Sequence, residues 1–169
     1  MIIRRKVTGL TPSTLERFVL RARRAVRLRQ TVNVLVTNSQ ELRSLNRQFR
    51  GKDHPTDVLS FPAPAAPGRP LKLLAGELAI SADVARENAH HLGHPVAEEI
   101  KILALHGILH LAGFDHEHDH GQMARKEIQL RQELNLNSSL IERAQTAAKV
   151  ASDSGRLQNR ASRVSRSKA

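Results

Sequence analysis

The stretch that most constrains this chain is residues 106–120, HGILHLAGFDHEHDH, which holds five of the nine histidines in the protein. His106 and His110 are four apart in an apolar run, so on a helix both imidazoles leave the same face and can reach one ion. Gly113 stands where that helix must end, because glycine adopts the positive φ of a helix cap without steric cost. A turn there would bring His116 back toward the other two histidines.

The spacing predicts a metal centre made of His106, His110 and His116. Three neutral imidazoles, with a fourth position left to water, are typical of a catalytic rather than a structural zinc site. A single histidine on an apolar helix is more often a core residue, but two of them would need two buried partners. His118 or His120 could replace His116 as the third ligand, although the longer loop fits less well. Three other histidines are interpreted as surface residues: His90, His91 and His94.

One difference separates this pattern from that of a protease. The spacing matches H-E-x-x-H-x-x-G-x-x-H of the metzincins, but Gly107 stands where those enzymes have the glutamate that acts as general base. This argues against peptide hydrolysis by the usual route. Asp115 and Glu117 flank His116, and either could orient a ligand or accept a proton; we keep Asp115 as the candidate catalytic carboxylate.

The formal charge of +11 is concentrated at the two ends of the chain. Residues 1–30 carry +8, residues 31–140 carry −2 and residues 141–169 carry +5. Basic ends favour polyanions through phosphate contacts, whereas the simpler alternative is a solvated, solubilising helix face. We expect one domain over residues 1–152 and a basic, disordered tail over residues 153–169.

Nothing in the sequence indicates a membrane or an exported protein. No apolar run reaches the roughly 18 residues of a membrane span, and the first ten residues lack the apolar stretch of a signal peptide. The chain has no cysteine, which excludes thiolate metal sites and fits a reducing compartment. We therefore expect a cytoplasmic protein.

Hydrophobic periodicity predicts an α+β fold, with a small mixed four-stranded sheet packed with about six helices. Strands are expected at residues 2–7, 31–37 and 73–80, and a short one ends at Phe61. Helices are expected at residues 14–29, 39–49, 82–92, 95–112, 122–135 and 138–150, with Ser39 and Ser81 as N-caps and Pro95 at the first helical position. The helix with the histidines is apolar nearly all round, so it should be central and buried. Residues 62–70 are expected to form a proline-rich loop, and Gly76 a bulge or a close approach.

Three blocks carry a resemblance to a known family. HGILHLAGFDH resembles the H-G-x-L-H-L-x-G-[YF]-D-H signature of the YbeY endoribonucleases, the ribosomal RNA maturation factors of bacteria. Residues 46–62 are similar to the block N-x-x-[YF]-R-x-K-D-x-P-T-D-V-L-S-F-P, and residues 76–81 to G-[DE]-I-x-I-S. Met123 and Glu127 match a methionine and a glutamate after the metal loop. The resemblance spans about residues 31–136, with phenylalanine for tyrosine at Phe49 and Phe114 and with Glu77 for aspartate.

The resemblance implies a zincin-like fold that holds one Zn²⁺ through His106, His110 and His116, with Arg50 as a functional arginine. It also implies cleavage of single-stranded RNA, in maturation of the 3′ end of small-subunit ribosomal RNA and in ribosome quality control. The expected partners are single-stranded RNA and the small ribosomal subunit, with no membrane and no small-molecule cofactor. Asp53 and Asp57 are expected to hold the turn before the third strand rather than to take part in chemistry.

The chemistry of this residue set agrees with RNA cleavage. Zinc lowers the pKa of water toward about 7, and RNA also carries its own nucleophile, the 2′-hydroxyl, so either route is open. Zinc and the Arg50 guanidinium would stabilise the charge that gathers on the phosphoryl oxygens. Two alternatives stay open: a metallopeptidase without the usual base, and a ribosome-assembly factor in which zinc only holds the fold.

Overall fold

The computed structural model describes residues 1–64, 73–116 and 119–136, all within the compact unit Met1–Asn137. In this part of the chain the elements follow the order β1 (Ile2–Ile3), α1 (Pro12–Ala25), β2 (Thr31–Thr37), α2 (Ser39–Arg50), β3 (Val58–Pro62), β4 (Leu74–Ser81), α3 (Ala82–Leu92), α4 (Val96–Leu111) and α5 (Gln122–Glu133). The predicted α+β class is confirmed. The predicted sixth helix, the basic tail and most of the proline-rich loop lie outside the described residues, and so does the predicted domain boundary.

The four strands form one mixed sheet in the order β1-β2-β4-β3. The pairs β1–β2 and β2–β4 are parallel, and β3 runs antiparallel to β4. In β2 the alternate residues Val32, Val34 and Val36 are buried, as the period of two in a strand requires. The antiparallel β3 therefore lies at one edge of the sheet, beside β4.

Alternate residues of β3 and β4 face different helices. Leu59 and Ala79 are paired in register and form an apolar cluster with Leu42 of α2. Their neighbours Ser60 and Leu78 are also paired, and both lie against Gly107 of α4. Because successive side chains of a strand point to opposite faces, α2 and α4 cover opposite faces of the sheet.

Helix α4 is the central helix, as predicted. Its buried residues occur all round the helix, from Ala97 to Leu109, and α1, α3 and α5 all pack against it. The predicted capping positions of two helices were wrong by one residue, although α2 itself starts at Ser39 as predicted. Asn38, not Ser39, caps α2 by accepting a bond from the Glu41 amide at 2.8 Å, and Pro95 is the N-cap of α4 rather than its first residue.

Two predicted elements are shorter in the structure. The first strand ends at Ile3 rather than at residue 7, because the amides of Arg4 and Arg5 both turn to the same carbonyl, that of Val36, at 2.9 and 3.4 Å. Helix α1 ends at Ala25 rather than near residue 29, because Arg27 adopts a left-handed φ of 59°. Neither change alters the face that α1 buries, which holds Leu15, Phe18, Val19 and Ala22.

Gly76 lies beside a β-bulge, and at this residue the backbone of β4 is close to both β3 and α4. The register between β2 and β4 shifts beside it, since Thr31 pairs with Leu74 whereas Val32 pairs with Gly76. A Cβ atom at Gly76 would lie 2.4 Å from the carbonyl oxygen of Phe61 and 2.6 Å from Leu111 Cδ2. Glycine here allows the end of α4 to lie directly on the sheet.

Among the described residues, no helix combines the length and the apolar character needed to cross a membrane.

Candidate metal centre

Three imidazoles meet at the C-terminal end of α4. The ring centroids of His106, His110 and His116 lie 4.8 to 5.5 Å from one another. One ring nitrogen from each histidine lies within 4.8 Å of the corresponding nitrogens of the other two. His106 and His110 are half-buried and His116 is exposed. The structure therefore brings together the three histidines that the sequence singled out, with one side open to solvent.

A glycine turn returns the chain to the first two histidines. Gly113 has φ +94°, its amide donates to the His110 carbonyl at 3.0 Å, and the Phe114 amide donates to the Leu109 carbonyl at 3.1 Å. These bonds satisfy carbonyls that the end of a helix would otherwise leave unpaired. The predicted turn is confirmed, and it places His116 beside its partners.

The hydrogen bonds of two rings fix which nitrogen is available to a metal. His106 Nδ1 lies 3.1 Å from a Glu127 carboxylate oxygen, and His110 Nδ1 lies 3.0 Å from the Phe114 carbonyl oxygen. Since both partners can only accept, each Nδ1 carries the proton and each Nε2 presents a lone pair. Burial and the neighbouring imidazoles lower the pKa of His110, which favours the neutral form that a metal requires.

The two nitrogen atoms that carry these lone pairs lie close together. His106 Nε2 and His110 Nε2 are 3.2 Å apart, a distance at which two lone pairs repel unless a cation lies between them. Two nitrogen ligands of a tetrahedral zinc ion are separated by about 3.3 Å, given zinc–nitrogen distances of about 2.05 Å. The three-imidazole donor set, and the spacing of this pair within it, therefore fit a zinc ion.

Behind His106 lies a buried ion pair that the sequence analysis missed. Arg131 Nη2 donates to one oxygen of the Glu127 carboxylate, whose other oxygen meets His106. The two residues are only 5% and 7% exposed. Burial alone would raise the pKa of Glu127, but the bond with His106 and the charge of Arg131 outweigh it and lower that pKa. Glu127 therefore stays ionised and holds the His106 ring in one orientation.

The signal for this pair was present in the sequence. Helix α5 buries Met123, Glu127, Leu130 and Arg131, which recur at the spacing of a core-facing stripe. Two charged residues in such a stripe, four apart and of opposite sign, indicate a buried ion pair.

A second buried pair joins the turn after α3 to α4, and it corrects the prediction for His94. The side chains of His94 and Glu99 are each 1% exposed, and His94 Nε2 lies 3.2 Å from a Glu99 oxygen. Asn88 donates to the other Glu99 oxygen at 3.1 Å. Burial raises the pKa of Glu99, and Asn88, His94 and Arg131 oppose that rise. The prediction failed because Gly93, with φ +72°, ends α3 and reverses the chain, so that His94 lies against the first turn of α4.

The other predicted surface histidines are exposed, as expected. His90 and His91 lie at the exposed end of α3, and His120 is exposed with a left-handed φ of 50°. His120 is not part of the described three-histidine cluster. His118 and Glu117 lie outside the described residues.

Asp115 lies at the edge of the histidine cluster. It is exposed, it lines a hollow of about 270 Å³ together with Asp119 and Gln122, and its charge acts on His110. The Asp119 carboxylate is occupied structurally, since it accepts from the amides of Gly121 at 2.9 Å and Met123 at 2.6 Å. Of these two carboxylates, Asp119 is the one that holds the start of α5.

Arg50 is the last residue of α2, and its side chain is exposed. Gly51, with φ +68°, ends the helix directly after it. Asp53 pairs with Arg43 at 2.8 and 3.1 Å, and Asp57 accepts from the Val58 amide at 2.8 Å, so both hold the turn that leads into β3.

The position of the missing protease glutamate has no room for a side chain. A Cβ atom at Gly107 would lie 2.7 Å from Leu78 Cδ2 and 3.1 Å from Ser60 Oγ. Glycine at this position lets α4 lie against β3 and β4. The difference from the metzincin pattern is therefore a packing requirement of this fold.

We expect Gly107→Ala to destabilise the protein by about 1–2 kcal/mol, because overpacking outweighs the gain in helix propensity. Urea unfolding measures the change. In a Leu78→Ala background, which removes the two closest methyl groups, the same substitution should be neutral or stabilising. An equal loss in both backgrounds would show that the contact with Leu78 is not the cause.

Comparison with known proteins identifies the family of this chain. The sequence pattern of the family described as Endoribonuclease YbeY matches residues 5–135. The chain belongs to the YbeY endoribonuclease family. The match begins earlier than the resemblance at about residue 31 suggested, and so takes in α1.

Relatives and a solved structure agree with this membership. The Endoribonuclease YbeY of Koribacter versatilis is 52% identical over 89% of this chain and 95% of its own length. The Endoribonuclease YbeY of Solibacter usitatus is 46% identical over 85% of this chain and 92% of its own length. The solution structure of TM1509 from Thermotoga maritima matches with a TM-score of 0.52 and 31% identity, over 79% of this chain and 87% of that one. The predicted family is confirmed, and these relatives give no support to the peptidase alternative.

Proposed function

We propose that this YbeY-family chain is a zinc-dependent endoribonuclease that cleaves single-stranded RNA. Its proposed role is maturation of the 3′ end of small-subunit ribosomal RNA and ribosome quality control, in the cytoplasm and in contact with the small ribosomal subunit. Family membership supports RNA as the substrate. The observation that carries the metal is the pair of Nε2 lone pairs, 3.2 Å apart, beside an exposed third histidine.

Each residue of the site has a proposed task. His106, His110 and His116 would hold one zinc ion, which when bound supplies Lewis acidity that makes water more acidic and stabilises charge on phosphoryl oxygens. Glu127 orients His106 through Nδ1. Arg50 would bind a phosphate of the substrate through its planar guanidinium. Asp115, exposed at the edge of the cluster, would accept the proton of the attacking hydroxyl.

The packing of Gly107 supports RNA rather than peptide as the substrate. A peptidase of this ligand pattern needs a glutamate at that position, and the contact with Leu78 leaves no space for one. RNA brings an internal nucleophile, its 2′-hydroxyl, so cleavage does not depend on that glutamate.

The direct test offers two substrates to the same purified protein. We expect a single-stranded RNA oligomer to be cut, the cutting to stop when a chelator removes the metal, and casein to stay intact. Chelator-sensitive cutting of casein with untouched RNA would contradict the proposal. Zinc binding without cleavage of either substrate would favour the assembly factor in which zinc only holds the fold.

Arg50→Glu is expected to abolish RNA cleavage and to leave the zinc content and the melting temperature nearly unchanged, because Arg50 is exposed. The matched control is Arg47→Glu, an exposed arginine one turn earlier on α2 with the same change of charge. RNA cleavage, bound zinc and thermal unfolding are measured for both variants. If Arg50→Glu unfolds the protein, its role is structural; if both variants lose cleavage equally, only the overall charge matters.

A further inference from the structure

Three exposed arginines form one stripe along α1: Arg17, Arg21 and Arg24. Their spacing of four and three residues places them on one side of the helix, over about 10 Å of its length. The opposite side carries the buried residues of α1 and packs on the protein core. Within the described part of the chain, none of these three guanidinium groups has an ion pair or a hydrogen bond.

Other arginines near the N-terminus are already occupied. Arg4 pairs with Glu41, and Arg5 pairs with Asp83 at 3.4 Å. Arg23 donates to the backbone carbonyl of Gln30. Lys6, Arg27 and Arg29 are also exposed, but they lie before or after α1. Of the unpaired basic side chains in this segment, only Arg17, Arg21 and Arg24 therefore form a row on one side of a helix.

Helix stability explains at most one member of the stripe, because the helix dipole favours a positive charge at Arg24, in the last turn, but not at Arg17 or Arg21. Arg17 and Arg21 are four apart and Arg21 and Arg24 three apart, so neighbouring positive charges repel and slightly destabilise the helix. The one acidic residue of α1, Glu16, is exposed but lies about 100° around the helix from Arg17, so it does not face the stripe. A surface that served only solubility would mix charges of both signs.

We propose that the stripe of Arg17, Arg21 and Arg24 binds the phosphate backbone of the RNA substrate, through residues that are not part of the metal centre. This inference rests on the proposed endoribonuclease function. Guanidinium groups bind phosphate oxygens in pairs, and an unpaired row of them suits a chain of phosphates.

The aromatic composition favours contacts to the backbone rather than to bases. Single-stranded RNA is commonly held by stacking on aromatic side chains, but this protein has no tryptophan or tyrosine and only four phenylalanines. Phe18, the phenylalanine of α1, is buried. Binding at this helix must therefore come from charge, which makes it tolerant of RNA sequence and sensitive to salt.

The test compares two triple variants that lose the same charge. One replaces the stripe (Arg17→Gln, Arg21→Gln, Arg24→Gln), and the other replaces three surface arginines that pair with carboxylates (Arg5→Gln, Arg43→Gln, Arg86→Gln). The probe is a fluorescent single-stranded RNA oligomer with 2′-O-methyl riboses. Its affinity is measured by anisotropy from about 50 to about 200 mM KCl, a range in which phosphate contacts weaken strongly.

For single-stranded RNA, three phosphate contacts make the slope of log binding constant against log salt concentration steeper by about 2, with a negative sign. Over this fourfold salt range the wild-type affinity should therefore fall about 20-fold more than that of the stripe variant. The control variant should keep the wild-type slope. An unchanged slope in the stripe variant, or an equal loss in both variants, would overturn the proposal.

Two further measurements keep the test decisive. If the triple variant does not fold, Arg21→Gln alone should make the salt dependence shallower, by about 0.7 in the magnitude of the slope. An unchanged slope in this variant would overturn the proposal. Cleavage of an unmodified oligomer is assayed in parallel. Wild-type protein that binds RNA without cutting it contradicts the proposed function alone, whereas cutting with equal slopes in all proteins contradicts the stripe alone.

Discussion

His110→Ala is expected to remove the metal and to abolish RNA cleavage while the protein stays folded. The substitution deletes one of the two Nε2 atoms that face each other at 3.2 Å, so only His106 and the exposed His116 are left as donors. It also removes the bond from Nδ1 to the Phe114 carbonyl, a loss of about 1 kcal/mol in unfolding free energy.

The measurements for this variant are bound zinc, RNA cleavage and urea unfolding of the metal-free protein. His120→Ala is the matched control, because His120 lies in the same histidine-rich stretch, is exposed and stands outside the cluster. The control should keep both zinc and activity. Retention of zinc by His110→Ala, or its loss from His120→Ala, would show that the ligand set is wrong.

Arg131→Met is expected to have the largest effect on stability, a loss of about 3–5 kcal/mol. Removing one partner of a buried ion pair leaves an uncompensated charge, here the Glu127 carboxylate, in the protein interior. Glu99 also loses a neighbouring positive charge that opposes the rise of its pKa. With Glu127 no longer held, the affinity for zinc should fall by about 10- to 100-fold.

Denaturant unfolding of metal-free protein and competition with a chelator for zinc measure the two effects. Arg86→Met is the control, since the Arg86–Asp83 pair is exposed and its loss should change stability by less than about 0.5 kcal/mol. Adding Glu127→Gln to Arg131→Met should recover part of the stability, because it removes the unpaired charge. If Arg131→Met changes the free energy of unfolding no more than Arg86→Met does, the Arg131–Glu127 pair does not stabilise the fold.

Local spacing along the chain is enough to determine the three-histidine cluster. His106 and His110 need only one helical turn between them, and His116 needs only the reversal that Gly113 provides with its positive φ. The apolar sequence of α4 likewise requires a buried, central helix wherever the strands lie. These features follow from contacts between residues that are close in the chain, which the sequence specifies directly.

The ends of elements are harder to predict, because they depend on single hydrogen bonds. The first strand stops where the amides of Arg4 and Arg5 share one carbonyl of β2, that of Val36. Asn38 rather than Ser39 caps α2, although both side chains can accept the bond. Sequence alone does not decide between neighbouring caps of equal chemistry.

Tertiary structure alone decided what surrounds the metal centre. Glu127 and Arg131 reach His106 from another helix, and His94 is buried because the turn at Gly93 places it against Glu99. The sequence by itself determined the residue types, the three-histidine spacing and the total positive charge. Only the folded chain showed that Gly107 has no room for a base and that Arg17, Arg21 and Arg24 have no partners within the described residues. The reason is that contacts between residues far apart in the chain depend on distances that the local sequence does not set.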